Sequence, residues 1–163
     1  MMAPISQLRD ELRLTREALS KIAREAKDAA ARFAGGAPDA VALYGCGALL
    51  HGYYTALERW LQVVARDFDG ETLSGSEWHR RLLVASASER SARTAIIGSD
   101  TMAMLGRFLR FRHLFRNLYI FNLEWDELHP LLQKLNELHS LTERDLAAFD
   151  EFLVSLENSD MGT

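Results

Sequence analysis

Apolar residues recur in this chain at alternating three- and four-residue intervals over stretches far longer than a strand, and such spacing leaves little but helix. From Ile5 to Phe33 the positions are Ile5, Leu8, Leu12, Leu19, Ile22, Ala26, Ala29 and Phe33, broken only at Thr15. At 3.6 residues per turn they share one face, and the charged residues between them form a solvated face of mixed sign. Trp125, Leu128, Leu131, Leu132, Leu135, Leu138, Leu141, Leu146, Phe149, Phe152, Leu153 and Leu156 mark a second such region, with His139 to Thr142 as a candidate interruption. Only three prolines occur in 163 residues, and Pro130 is tolerable only in a first helical turn or at a kink. The expectation is one all-α domain over residues 1–163, large enough for its own core, with a polar, frayed tail from about Asn158.

Between the two long regions the elements are shorter. Gly35-Gly36-Ala37-Pro38 should end the first helix through glycine's access to positive φ and proline's inability to continue. A second helix is predicted from Pro38 or Asp39 to about Asp67. It carries unusual polarity in Tyr44, His51, Tyr53, Tyr54, Glu58 and Arg59, and Gly45, Gly47 and Gly52 admit another backbone closely. A buried helix crossing explains this; a functional reading makes His51, Tyr54 or Arg59 line a cleft. Ser76 is placed to N-cap a short helix from Glu77 to Ala87. The segment Ser86 to Gly98 is the least legible, with Ile96 and Ile97 as its core anchors. Ser99 or Thr101 should cap a central helix ending near Phe121 or Asn122.

Composition excludes several classes. The lone Cys46 has no disulfide partner and no companion at zinc spacing, so it reads as a small buried apolar residue. No run of about eighteen apolar residues is present, and Met1 to Leu14 is polar, without the apolar segment of a signal peptide. A cytoplasmic protein that does not enter a membrane is expected. A formal net charge of -4 argues against general nucleic-acid binding, so any such binding must be local.

One place is suited to it. The run Arg107 to Tyr119 holds four arginines and one histidine, and from Thr101 to Leu123 there is no Asp or Glu. On a helix, Met104, Phe108, Phe111, Phe115 and Leu118 form an apolar stripe for the core. A second row, Met102, Leu105, Leu109, Arg112, Arg116 and Tyr119, begins apolar and turns cationic. Two apolar faces suggest one packed within the domain and one against another helix or subunit. Arg112 and Arg116 lie one turn apart, as do His113 and Asn117, with Tyr119 just beyond. Arginine forks hold phosphate oxygens and histidine moves protons near neutral pH, so the patch suits a phosphodiester attacked by its own ribose 2'-hydroxyl, without a metal or cofactor. A purely structural role for the arginines instead predicts pairing with Glu58 or with acids of the final helix.

The run Phe111-Arg112-His113-Leu114-Phe115-Arg116-Asn117-Leu118-Tyr119, followed by Glu124-Trp125-Asp126, resembles the HEPN superfamily, and within it the HepT-like proteins of bacterial toxin–antitoxin pairs. The resemblance extends to Leu50-His51-Gly52-Tyr53-Tyr54-Thr55-Ala56-Leu57-Glu58-Arg59. It implies an antiparallel bundle of about five helices that forms a homodimer with its signature in the subunit cleft. It implies a metal-independent endoribonuclease of a type VII-like pair, acting on RNA and neutralised by an MNT-type nucleotidyltransferase antitoxin that modifies a tyrosine with AMP. Arg112 would be the signature arginine, His113 the polar residue after it, and Tyr119 the modified tyrosine.

The signature histidine falls on Asn117, whose amide is neither a general acid nor a general base. Three readings follow. His113 takes over, in an Arg107-to-His113 motif; or cleavage is lost and a dimeric module that docks RNA or a protein remains; or Asn117 is an engineered replacement. The first gives a mechanism in which Arg112 and Arg116 bind the scissile phosphate, His113 transfers the proton and Asn117 orients the substrate.

Overall fold

In the computed structural model, which describes residues 4–117 and 122–160, the chain forms five helices: α1 Ile5–Arg32, α2 Ala40–Asp67, α3 Trp78–Ser86, α4 Ser99–Asn117 and α5 Trp125–Asp160. Among the described residues the only β pairing is an isolated bridge between Arg90 and Arg93. The all-helical expectation and the count of five therefore hold. Among the described residues no helix is long and apolar enough to cross a membrane.

The apolar stripes build the core. Leu8, Leu12 and Leu19 of α1 meet Leu128, Leu132, Leu135, Leu138, Leu146, Phe149 and Leu153 of α5, each 1% exposed or less. Antiparallel pairing of α1 and α5 is read from the ties along their length: Arg9 to Asp150 at 2.9 Å, Arg16 to Glu143, and Ser20 Oγ to His139 Nε2 at 3.2 Å. α2 fills the third side with Leu50, Tyr53, Leu57, Trp60 and Val64.

Several local expectations are corrected. α5 runs without interruption through His139 to Thr142, because Thr142 occupies the stripe position between Leu138 and Leu146 and is wholly buried. Helix also continues past Asn158 to Asp160. Pro130 stands five residues after Trp125, just past the first turn, where it removes one hydrogen bond to the carbonyl of Asp126. Among the described residues positive φ occurs only at Gly70 and Gly75, so α1 ends without a left-handed glycine at Gly35 or Gly36. Asp39 caps α2 as expected, accepting from Ala42 N at 2.8 Å. Ser76 does not cap α3, whose preceding residue is Glu77 with no side-chain bond.

The entry to α4 is held from a distance. Asp145 of α5 accepts from Gly98 N at 2.8 Å and from Thr101 Oγ1 at 2.5 Å, so a carboxylate from another helix joins Asp100 of the first turn at that helix start. The illegible segment before it is anchored by Ile96 and Ile97, both at most 2% exposed, whose N–H groups donate to Ser86 O. Both rows of α4 are used inside the chain: Leu105, Phe108, Leu109, Phe111 and Arg112 are all buried. The expected end of this helix borders residues 118–121, outside those described.

Candidate active site

A glycine lets α2 and α4 meet. A Cβ on Gly47 would lie 2.7 Å from Phe115 Cε2, so the Phe115 ring rests directly on the α2 backbone. Tyr44 and His51, on the same side of α2, pack on that ring at centroid distances of 5.1 and 5.4 Å. This contact seats the C-terminal half of α4 along α2, and about one turn back along α4 it brings Arg112 to Thr55 and Glu58.

Arg112 is only 7% exposed. Its Nη2 lies 3.3 Å from Glu58 Oε1, its Nη1 3.5 Å from Nε2 of His79 on α3, and its Nε 3.5 Å from Thr55 Oγ1. His79 Nδ1 lies 2.6 Å from the other oxygen of Glu58. A guanidinium only donates, so His79 Nε2 must be the accepting nitrogen and Nδ1 must carry the hydrogen given to Glu58. That is a neutral imidazole in one tautomer. The charges of Arg112 and Glu58 then cancel, as a buried cluster requires. Trp78 stacks against His79 at 3.6 Å, covering the ring from the side.

Above this cluster sits His113, exposed, its ring 5.2 Å from that of His79 and nearly perpendicular to it. Partial burial, with Arg112 among its basic neighbours, holds the His113 imidazole below the usual histidine range. Half-buried His51 is lowered likewise, by burial first and then by Arg112 and Arg116. The two histidines thus face the same two arginines from different helices. Arg116 is exposed, and among the described residues it forms no ion pair. Asn117 is exposed and donates through Nδ2 to its own helix, to His113 O at 2.8 Å.

Of the residues singled out in the sequence, the fold gathers Arg112, His113, Arg116 and His51. Tyr54 is buried beside the cluster, its phenol pushed to higher pKa by burial and by Glu58. Arg59 is exposed and lines a separate cavity of about 300 Å³ with Gln62, Arg66, Glu71 and Leu73. Arg107 is exposed on α4, and Tyr119 lies outside the described residues. Among the described residues no group of three or more His, Cys, Asp or Glu is placed to hold a metal ion. The pairing of Arg112 with Glu58 is the one a structural role predicts.

His79 was not legible as part of the site. A signal was available: His79, Leu82, Leu83 and Ser86 all fall on the buried side of α3, so a histidine occupies a core position of a short helix.

No curated protein and no solved structure was matched by this chain. The family model described as HepT-like protein matches residues 45–153, which spans the α2–α4 contact, the Glu58–His79–Arg112 cluster and most of α5. With that match over most of its length and five helices in this arrangement, the chain belongs to the HepT-like family of the HEPN superfamily.

Proposed function

We propose that this chain is the ribonuclease toxin of a toxin–antitoxin pair, cleaving RNA in the cytoplasm without a metal or cofactor. The observation that carries the reading is the state of Arg112: buried, yet held only by contacts of 3.3 to 3.5 Å, directly beneath His113. Such a guanidinium retains hydrogen-bonding capacity for an anion. Arg116, exposed one turn on, supplies a second cation, and together they hold the non-bridging oxygens of the scissile phosphate.

His113 supports the proton transfer. Its lowered pKa leaves the imidazole mainly in its basic form at neutral pH, ready to take the proton of the ribose 2'-hydroxyl. The 2'-oxygen then bonds to phosphorus as the bond to the 5'-oxygen breaks, and the leaving oxygen takes a proton from water while protonated His113 returns its own to solvent. Asn117 orients the substrate. Exposed Leu114 and Tyr44 leave apolar surface beside these groups for a second copy of the chain. The antitoxin of this reading is a small nucleotidyltransferase, with Tyr119 as its acceptor. RNA cleavage by the wild type, compared with Arg112→Ala and His113→Ala, tests the assignment; equal activity in all three removes it.

A second reading is favoured by Asn117. Its amide is tied into its own helix at the place where the resemblance expects a histidine. On this reading the chain is a dimeric module that docks RNA or a partner protein without cutting. Growth after induction separates the two: an active ribonuclease arrests cells unless its partner is co-expressed, whereas a docking module is tolerated.

A further inference from the structure

We infer that His79 is a positioning residue of this site, acting through Arg112, an inference that rests on the ribonuclease reading for its effect on turnover. Three helices contribute to the cluster, and His79 is its hinge. It is 8% exposed, and both ring nitrogens are in use: Nδ1 toward Glu58 at 2.6 Å and Nε2 toward Arg112 at 3.5 Å. Its ring edge also abuts His113 at a centroid distance of 5.2 Å.

Without His79, Arg112 would be the only partner of Glu58 within the cluster. The 2.6 Å bond from His79 occupies one carboxylate oxygen and leaves Arg112 the other, at 3.3 Å. A carboxylate free of His79 would draw the guanidinium down into a two-pronged pair, the geometry such forks favour. Arg112 would then recede from His113 and from any phosphate. The short bond between Glu58 and His79 thus keeps Arg112 at the level where it can serve an anion. A histidine on α3 thereby supports the site from a different helix than Asn117.

Two amides separate the nitrogens. In His79→Gln the side-chain oxygen reaches the position of Nε2 and still accepts from Arg112, but the donation to Glu58 is lost. In His79→Asn the amide occupies the position of Nδ1, keeping the donation to Glu58 but leaving Arg112 no acceptor. Because the bond from Nδ1 to Glu58 keeps Arg112 in place, the Asn variant keeps kcat within about fivefold, while the Gln variant, which frees the Glu58 carboxylate, loses about a hundredfold, a typical cost of a misplaced catalytic group. KM stays within about twofold in both, because the substrate's other contacts are untouched. In the same proteins the NMR titration midpoint of His113 stays put in the Asn variant and rises toward that of a free histidine in the Gln variant, from which Arg112 has withdrawn.

Equal kcat and equal His113 midpoints in the two folded variants overturn the inference, as does the reverse order. Loss of thermal stability alone, with turnover and midpoint unchanged, assigns His79 a purely structural role and also overturns it. A wild type that does not cleave RNA, but whose His113 midpoint responds to the Gln variant alone, removes the ribonuclease reading and leaves the positioning of Arg112 by His79 standing.

Discussion

Two buried arginines in this molecule are held in opposite ways. Arg93 makes five hydrogen bonds, two to Asp69 at 2.9 and 2.6 Å and three to the carbonyls of Ser88, Thr94 and Ala85 at 3.1 to 3.2 Å. A guanidinium has five N–H groups, so nothing is left to offer a ligand. Arg112 has three contacts, none shorter than 3.3 Å, and shares its carboxylate with a histidine. Arg93 pins the segment between α3 and α4 to the loop after α2. Arg112, also buried, is restrained rather than saturated, and it lies under a titratable residue that solvent reaches. Burial and an acid partner do not tell these two arginines apart; completeness of hydrogen bonding does.

Removing each arginine tests that contrast most strongly. Arg93→Met leaves Asp69 buried and uncompensated and should cost about 3 to 5 kcal/mol, read from urea unfolding. Arg112→Met should cost less, about 1 to 3 kcal/mol, since Glu58 keeps its bond to His79. Equal losses would erase the distinction. On the ribonuclease reading, Arg112→Lys should fold normally and lower kcat by about a hundredfold or more, because an ammonium cannot reproduce the fork; single-turnover RNA cleavage measures it.

The seat of Arg112 can be disturbed from α2. Gly47→Ala places a methyl 2.7 Å from Phe115 Cε2 and 3.1 Å from Leu123 Cδ2. Such overpacking should cost about 1 to 3 kcal/mol, visible as a lower melting temperature, and should shift the NMR signals of His51 and His113 while leaving those around Arg93 in place. The smallest effect concerns the scaffold. His139, half-buried between Ser20 and Tyr53, has its pKa lowered, chiefly by burial. The unfolded chain therefore binds a proton at higher pH than the folded one, and stability falls as pH drops through the ordinary histidine value near 6.5. His139→Gln should flatten that part of the stability profile, measured by urea unfolding between pH 5 and 7.5.

The scaffold was far more legible than the site. α1 and α5 follow from the spacing of Leu8, Leu12 and Leu19 and of Leu128 through Leu153, because a periodic row needs no knowledge of its partner. The candidate break in α5 fails for a tertiary reason: Thr142 is polar by type but faces a packed interior that its methyl helps to fill. Ser76 and the pair Gly35-Gly36 show the reverse, residues with the right local chemistry that the chain does not use. At the site, Arg112 stood out through its acid-free surroundings and Glu58 through its place in an apolar helix. His79 carried no comparable mark, since its partners lie 21 residues before it and 33 after it.

What the linear chain determined is the set of helices, the faces they bury and the concentration of positive charge on α4. Those depend on intervals of three and four residues, which backbone geometry alone interprets. Only the tertiary structure decided which arginine is saturated and which is left receptive, and which histidine lies against it. Hydrogen-bond lengths, and the competition of two donors for one carboxylate, arise where helices cross, and no spacing within a single helix encodes them.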